Sequence, residues 1–359
     1  SQGFAMIGPP KSGKTTLLAA IERACEMYSE DGISLEFYPQ PELAKKIELA
    51  ISSVLNKESK YDATQKIDNY GFRICVTEEN PEGLFSLPLE VDIEGKLIDS
   101  GGGILFPVAQ MEEKMKGKSS DEEDSTMRII REQSEEQKNE VFNNLREASS
   151  IILCVDASNP NIPLLYKHMT SLLSNSRDER AIYNRPIRLK EKINYWIRRK
   201  TVPKYSPRRR PALKAKRFLL LLTHIDQLCE SAPNPERMAR LINPVVQARE
   251  MLGVGLLEKI SKSLHPEKAK FAVGVCSPWG FNGEEKGGKP FADENGQVLA
   301  AFHERGEELL LKWKPFGVRD AIYFIATGKC RGSVAEVTEQ HLKPQAKLPV
   351  KMKVPVKNI

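Results

Sequence analysis

The chain predicts an α/β protein: a three-layer fold with a mainly parallel sheet, one antiparallel strand supplied by a hairpin, and helices on both faces. Three observations carry that expectation. Near-continuous apolar runs at 151–155, 218–222 and 271–275 are separated by helix-length segments, the pattern of strands covered on both faces. At the N-terminal end an apolar run, a glycine-rich turn and an amphipathic stretch follow one another directly. Residues 85–99 carry a hairpin signal.

In chain order, 3–7 (Gly-Phe-Ala-Met-Ile) reads as a buried strand ended by the turn residues of 8–12. From Lys14 onward, Leu17, Leu18, Ile21, Ala24, Cys25 and Tyr28 recur at helical spacing and give one apolar stripe. A second amphipathic helix is expected over 42–55, and a β-rich run over 70–76. The hairpin arms 85–92 and 96–99 flank Ile93-Glu94-Gly95, and the second arm ends in Gly101-Gly102-Gly103. Glu, Lys, Ser and Gln dominate 111–140, so an insertion over 107–147 is expected to be a mobile loop containing an exposed helix. Helical patterns at 298–313 and 318–327 follow the last apolar strand. The division expected is one domain over 1–330, with insertions at 107–147 and 185–217, and an extended or disordered Lys/Pro-rich tail over 331–359.

Composition excludes some classes. Of the 359 residues 40% are hydrophobic and 28% charged, and no stretch approaches the roughly 20 apolar residues that span a bilayer. Six widely spaced cysteines without a C-x-x-C pair read as reduced core thiols. A motif begins a few residues from Ser1-Gln2, so either no leader is expected or the true N-terminus lies upstream, and the expected location is cytoplasmic. The net charge of +6 is uneven: residues 185–217 hold fourteen Lys or Arg against Glu191 alone, so that segment carries +13 and the remainder −7. Tyr195, Trp196 and Tyr205 are interleaved with these bases, and the segment is expected to meet an anionic or protein partner.

Gly8-Pro9-Pro10-Lys11-Ser12-Gly13-Lys14-Thr15 matches G-x-x-x-x-G-K-[ST], the triphosphate loop. Glycines let backbone N–H groups curl around phosphates at a helix N-terminus, where orphan donors and the helix dipole favour anions. Gly8, Lys11, Ser12, Gly13, Thr15 and Thr16 would line the nucleotide, Lys14 would reach the β- and γ-phosphates, and Thr15 would ligate magnesium. Asp99-Ser100-Gly101-Gly102 ends a strand, where the Asp99 carboxylate can hold magnesium through water and the Gly102 N–H can sense the γ-phosphate. Thr223-His224-Ile225-Asp226 follows the leucine-rich strand, and a carboxylate there can accept two hydrogen bonds from guanine N1 and its exocyclic amine; a helix N-cap is the alternative. Cys276-Ser277-Pro278 ends the next apolar strand; because proline has no N–H, the guanine carbonyl contact falls to Ser277 N–H.

The ordered set of P-loop, Asp99-x-x-Gly102, Thr223-x-x-Asp226 and Cys276-Ser277 resembles the TRAFAC class of P-loop GTPases, most closely its bacterial double-GTPase-like branch. The resemblance runs from about residue 3 to 280 and implies Mg2+ as cofactor with GTP as substrate and GDP as product. It also implies a threonine before the preceding strand that clamps magnesium and the γ-phosphate: Thr64, with Thr77 as second candidate. Lys14, Thr64, Asp99 and Gly102 then form the catalytic set, and Thr15, Thr64 and Asp99 the metal set. Three positions depart from the pattern: Thr223 and His224 replace the usual Asn and Lys, Gly103 stands where many relatives carry the glutamine that orients water, and Pro278 lacks a donor. The function implied is a nucleotide-dependent switch hydrolysing GTP, compatible with a nucleotide-dependent oligomer. The alternatives are an ATP-binding P-loop protein and a nucleotide-binding interaction module with little turnover.

Overall fold

The computed structural model describes residues 4–9, 12–26, 32–55, 68–78, 89–99, 139, 142–158, 160, 162–186, 189–198, 200–202, 205–283, 287–290 and 313–343. The N-terminal part runs β1 (Phe4–Ile7), α1 (Lys14–Glu26), β2 (Ile33–Pro39), α2 (Pro41–Leu55), β3 (Asp68–Glu78), β4 (Leu89–Asp99). After it come β5 (Ser150–Asp156), α3 (Ile162–Asn175), β6 (Asp178–Pro186), α4 (Leu189–Ile197), β7 (Tyr205–Ala212) and β8 (Arg217–Thr223). The last part holds α5 (Ile225–Cys229), α6 (Pro235–Leu241), α7 (Pro244–Leu252), α8 (Val254–Ser261), β9 (Lys270–Val275), α9 (Val318–Thr327) and β10 (Val334–Glu336).

Eight strands make one sheet in the order β10-β9-β8-β5-β1-β4-β3-β2. The five central strands, from β9 to β4, are parallel, while β3, β2 and β10 each pair antiparallel with their inner neighbour. Side chains of the central strands alternate between two cores, as the two-residue period of a strand requires. Phe4, Met6, Ile152, Cys154, Leu219 and Leu221 face α1 and α9, among Leu17, Ile21, Ile322 and Phe324. Ala5, Ile7, Ile151, Leu153, Leu220 and Leu222 face the other side, among Leu165, Met169, Val245 and Leu257 of α3, α7 and α8. Both faces are covered, which is why these strands read as continuous apolar runs, and the expected three-layer α/β fold is the one observed.

The structure corrects three expectations. Ile93-Glu94-Gly95 is not a turn: β4 is unbroken, with Ile93 opposite Ile74, Glu94 opposite Arg73 and Gly95 opposite Phe72. The hairpin is β3 with β4, and a single glycine inside a period-2 pattern does not end a strand that has a full-length partner. Two strands rather than one run against the parallel set, β3 from the hairpin and β10 at the far edge, while β2, antiparallel to β3, runs with the central five. Residues 331–343, expected to belong to the tail, are part of the fold: Val334 pairs with Gly274, and Asp320 accepts hydrogen bonds from Ser333 N and Oγ, tying this segment to α9. Residues 344–359, 298–312 and nearly all of 107–141 lie outside the described residues. The basic segment is partly described: β6 and β7 form a separate two-stranded antiparallel sheet, with α4 between them in sequence. No helix among the described residues is long and apolar enough to cross a membrane.

Candidate functional site

Because β1, β4, β5, β8 and β9 are parallel, their carboxyl ends share one edge of the sheet, where the crevice of an open α/β sheet forms. Each motif lies just after one of these ends: Gly8 after β1, Asp99 at the end of β4, Thr223 at the end of β8, Cys276 after β9. The sheet thus brings together segments up to about 270 residues apart in sequence.

The P-loop is tightly packed. A Cβ on Gly8 would sit 2.4 Å from the Cys154 carbonyl oxygen and 2.6 Å from Ser12 Oγ, so only glycine fits beside β5. Gly13 has φ +74, a left-handed conformation that turns the chain into α1, and Leu17 N closes the first helical turn on its carbonyl at 2.8 Å. Lys14, 7% exposed, folds back over the loop: its Nζ donates to Gly8 O at 3.0 Å and Pro9 O at 2.9 Å, and lies 3.4 Å from Ser12 Oγ. This places the ammonium inside the curl of the loop, where a triphosphate would meet it. Thr16 lies in the first turn of α1 and is half-buried, and Thr15 holds helical backbone between it and Lys14. Lys11 lies outside the described residues.

Thr223 joins the base-side segment to this loop. Fully buried, its Oγ1 lies 3.0 Å from Ser12 O and 3.2 Å from Val155 O, so one hydroxyl proton ties β8 to the P-loop and to β5. His224 then adopts φ 55, ψ 35, the only non-glycine residue with positive φ among those described. That backbone turn puts the imidazole against Gly13, whose Cβ would lie 3.2 Å from His224 Cε1. His224 Nδ1 faces Asp156 Oδ1 at 3.3 Å, both side chains being mostly buried. Burial works against the imidazolium, but the Asp156 carboxylate, helped by Asp226, outweighs it and holds His224 above the ordinary histidine range. Burial likewise opposes ionisation of Asp156, while His224 and the Ser158 hydroxyl and N–H bring that carboxyl down to about 2.

Asp226, 1% exposed, lies in the first turn of α5, and its Oδ1 has no hydrogen-bond partner among the described residues. Burial raises its pKa, and the Ser277 hydroxyl partly offsets this by donating to the carboxylate. A buried carboxylate oxygen without a donor costs on the order of 1–3 kcal/mol, so the orphan marks a place where a ligand N–H would be stabilising. The N-cap alternative for Thr223-x-x-Asp226 does not hold: the N-cap of α5 is His224, and no side chain caps it.

The Cys276-Ser277 expectation changes in detail. Ser277 N donates to Phe316 O at 3.0 Å and Cys276 N to Leu222 O at 2.8 Å, so both amides serve the fold. What Ser277 offers the site is its hydroxyl, which holds Asp226 and accepts from Gly280 N at 2.9 Å. The loop after it is pinned by Trp313, whose Nε1 donates to Pro278 O at 2.9 Å and whose ring lies 6.3 Å from Trp279.

Asp99 pairs with Met6 across β1 and β4, which sets its backbone beside the strand that feeds the P-loop. Thr64, Gly102 and Gly103 lie outside the described residues, whereas Thr77 lies on β3 opposite Ser34 and Glu90, away from the carboxyl-end crevice. The Thr15 hydroxyl and Asp99 carboxylate are hard oxygen donors of the kind magnesium takes, and the β1/β4 register sets the Asp99 backbone beside the strand that leads into the P-loop.

Asp156 is the site residue that sequence reasoning missed. Its signal was there, an acidic residue ending the apolar strand next in the sheet to β1, but only the parallel pairing of β5 with β1 and β8 makes that position meaningful.

No family model and no curated protein matches the chain. Among solved structures it is similar to a bacterial selenocysteine-specific elongation factor EF-Sec, at 12% identity and TM-score 0.29, over 79% of this chain and 26% of that one. It is also similar to the signal recognition particle receptor SRb-GTP/SRX complex from Chaetomium thermophilum, at 11% identity and TM-score 0.32, over 77% of this chain and 90% of that one. A third is the S. cerevisiae Ski7 GTPase-like domain bound to GDP and inorganic phosphate, at 15% identity and TM-score 0.30, over 87% of this chain and 49% of that one. The chain spans about a quarter of the elongation-factor chain and about half of the Ski7 chain. At such TM-scores the fold assignment rests on the sheet order and the placement of the motifs.

Proposed function

We propose that the chain binds GTP with magnesium and hydrolyses it to GDP and phosphate, acting as a nucleotide-dependent switch. The single observation that supports this best is the shared edge of the sheet. Lys14 inside the loop curl follows β1 and the buried orphan oxygen of Asp226 follows β8, with only β5 between those strands, and Thr223 and His224 join the two segments through Ser12 and Gly13. In this reading Lys14 and the P-loop amides hold the phosphates, and Asp226, kept in place by Ser277, accepts from guanine N1 and the exocyclic amine. Adenine offers no such pair of donors. Magnesium, held by Thr15 and Asp99 with Thr64 as a further ligand, would neutralise charge on the β- and γ-phosphates. Water attacking the γ-phosphorus breaks its bond to the β–γ bridging oxygen, and the Gly102 N–H senses the γ-phosphate.

Glycine at position 103 supplies no side chain to orient that water, which favours slow turnover in the absence of a partner. We further propose that the main sheet, β10 included, and its helices work as one nucleotide-binding domain in the cytoplasm, and that the 185–217 segment takes an anionic partner. Asp226→Asn tests the base assignment. GTP affinity is expected to fall by about 1.5–3 kcal/mol, the scale of charge-assisted hydrogen bonds, with the unfolding midpoint nearly unchanged. Unaltered GTP affinity in a folded variant removes Asp226 from the base site.

A further inference from the structure

Helix α4 is amphipathic with its apolar side outward. Leu189, Ile193, Trp196 and Ile197 are 70%, 42%, 67% and 73% exposed, and their spacing of i, i+4, i+7 and i+8 lines them along one stripe. Isolated exposed apolar residues need no explanation, but four on one face of a nine-residue helix do. Lys192, Arg198 and Lys200, beside them, are exposed as well. The surrounding 185–217 segment has fourteen basic residues and one acid, and Arg208, Arg209 and Arg210 lie on β7, paired through the backbone with β6.

We propose that α4 and its basic surroundings form a docking surface for an anionic lipid bilayer, with the stripe entering the boundary between headgroups and acyl chains. The proposal rests on the reading that this segment has an anionic partner, and it names that partner. Charge complementarity selects the class: basic residues occur before α4, after it and on β7, a spread suited to a plane of negative headgroups. The stripe then separates lipid from nucleic acid. Phosphates and bases would engage the arginines and Trp196, but would leave Leu189, Ile193 and Ile197 in water, whereas a bilayer takes all four together. A tryptophan at the rim of an aliphatic stripe also suits an amphipathic ring at headgroup level. No spanning segment is needed, because such a helix lies in the plane of the interface.

The test is sedimentation of the full chain with vesicles of phosphatidylcholine alone and of phosphatidylcholine mixed with phosphatidylserine, alongside titration of a labelled single-stranded RNA. Wild type is expected to sediment with the mixed vesicles only, with a blue shift of tryptophan emission that Trp196→Phe abolishes. The triple variant Leu189→Gln, Ile193→Gln, Ile197→Gln keeps every charge and is expected to lose vesicle affinity by about tenfold or more. Its fold is checked by circular dichroism and by GTP binding, which lies elsewhere in the molecule. Vesicle binding that the triple variant retains, or that leaves Trp196 emission unshifted, overturns the proposal. Binding to RNA without binding to vesicles overturns it while leaving the anionic-partner reading in place, and binding to neither overturns both.

Discussion

Asp156→Asn removes the charge facing His224 but leaves an oxygen that can still accept from Ser158 N and Oγ, now at 2.9 and 2.7 Å. The drop of the Asp156 carboxyl from 3.8 to about 2, at roughly 1.4 kcal/mol per pH unit, corresponds to about 2.5 kcal/mol of native-state stabilisation. Part of it belongs to Ser158 and survives in the variant, so the loss through His224 is about 1–2 kcal/mol. With the two side chains only 17% and 22% exposed, solvent screens little of it. The two titrations set the window. His224 is raised in the folded state, so its contribution is fully present below the unfolded value of 6.5 and fades as pH rises through the higher folded value. Asp156 is depressed, so its contribution is present above 3.8 and fades as pH falls through about 2. Between about pH 4 and 6.5 the pair contributes fully. Urea unfolding of wild type and variant at pH 5.5 and pH 9 should show the larger difference at the lower pH. Equal destabilisation at both, or none at pH 5.5, refutes the ion pair.

The loop and its clamp give three further expectations. Gly8→Ala drives a methyl to within 2.4 Å of the Cys154 carbonyl and should cost about 1–3 kcal/mol by thermal unfolding while weakening nucleotide binding. Thr223→Val keeps the shape but strips Ser12 O and Val155 O of their shared donor, so a stability loss of about 1–3 kcal/mol should accompany weaker GTP binding by calorimetry. Lys14→Ala should abolish triphosphate binding in isothermal titration and lower stability by only about 1 kcal/mol, the scale of the loop hydrogen bonds it forfeits.

The central parallel strands were legible because burial on both faces writes a continuous apolar run, and the P-loop because its glycines meet steric demands that no other residue does. β2 was less so: it alternates around Leu35, but as an edge strand of seven residues it carries only a short pattern. β10 is three residues long and owes its place to Asp320 and Ser333 rather than to its own sequence. The glycine at 95 looked like a turn until its cross-strand partner Phe72 was known. In the site, Thr223, His224 and Asp226 could be located by their strand, but not the geometry that joins them. The left-handed backbone at His224 and its carboxylate partner on β5 are tertiary facts, set by which strands are neighbours. Likewise the Ser277 amide could be assigned to a ligand only until the packing of 316 against 277 gave it a carbonyl.

The most direct test of the central claim is a paired titration of fluorescent GTP and fluorescent ATP against the wild-type chain with magnesium. A buried carboxylate that lacks a donor on Oδ1 should favour the base that presents two N–H groups, so GTP is expected to saturate with at least about tenfold higher affinity than ATP. Tighter binding of ATP, or no saturable binding of either nucleotide, contradicts the account.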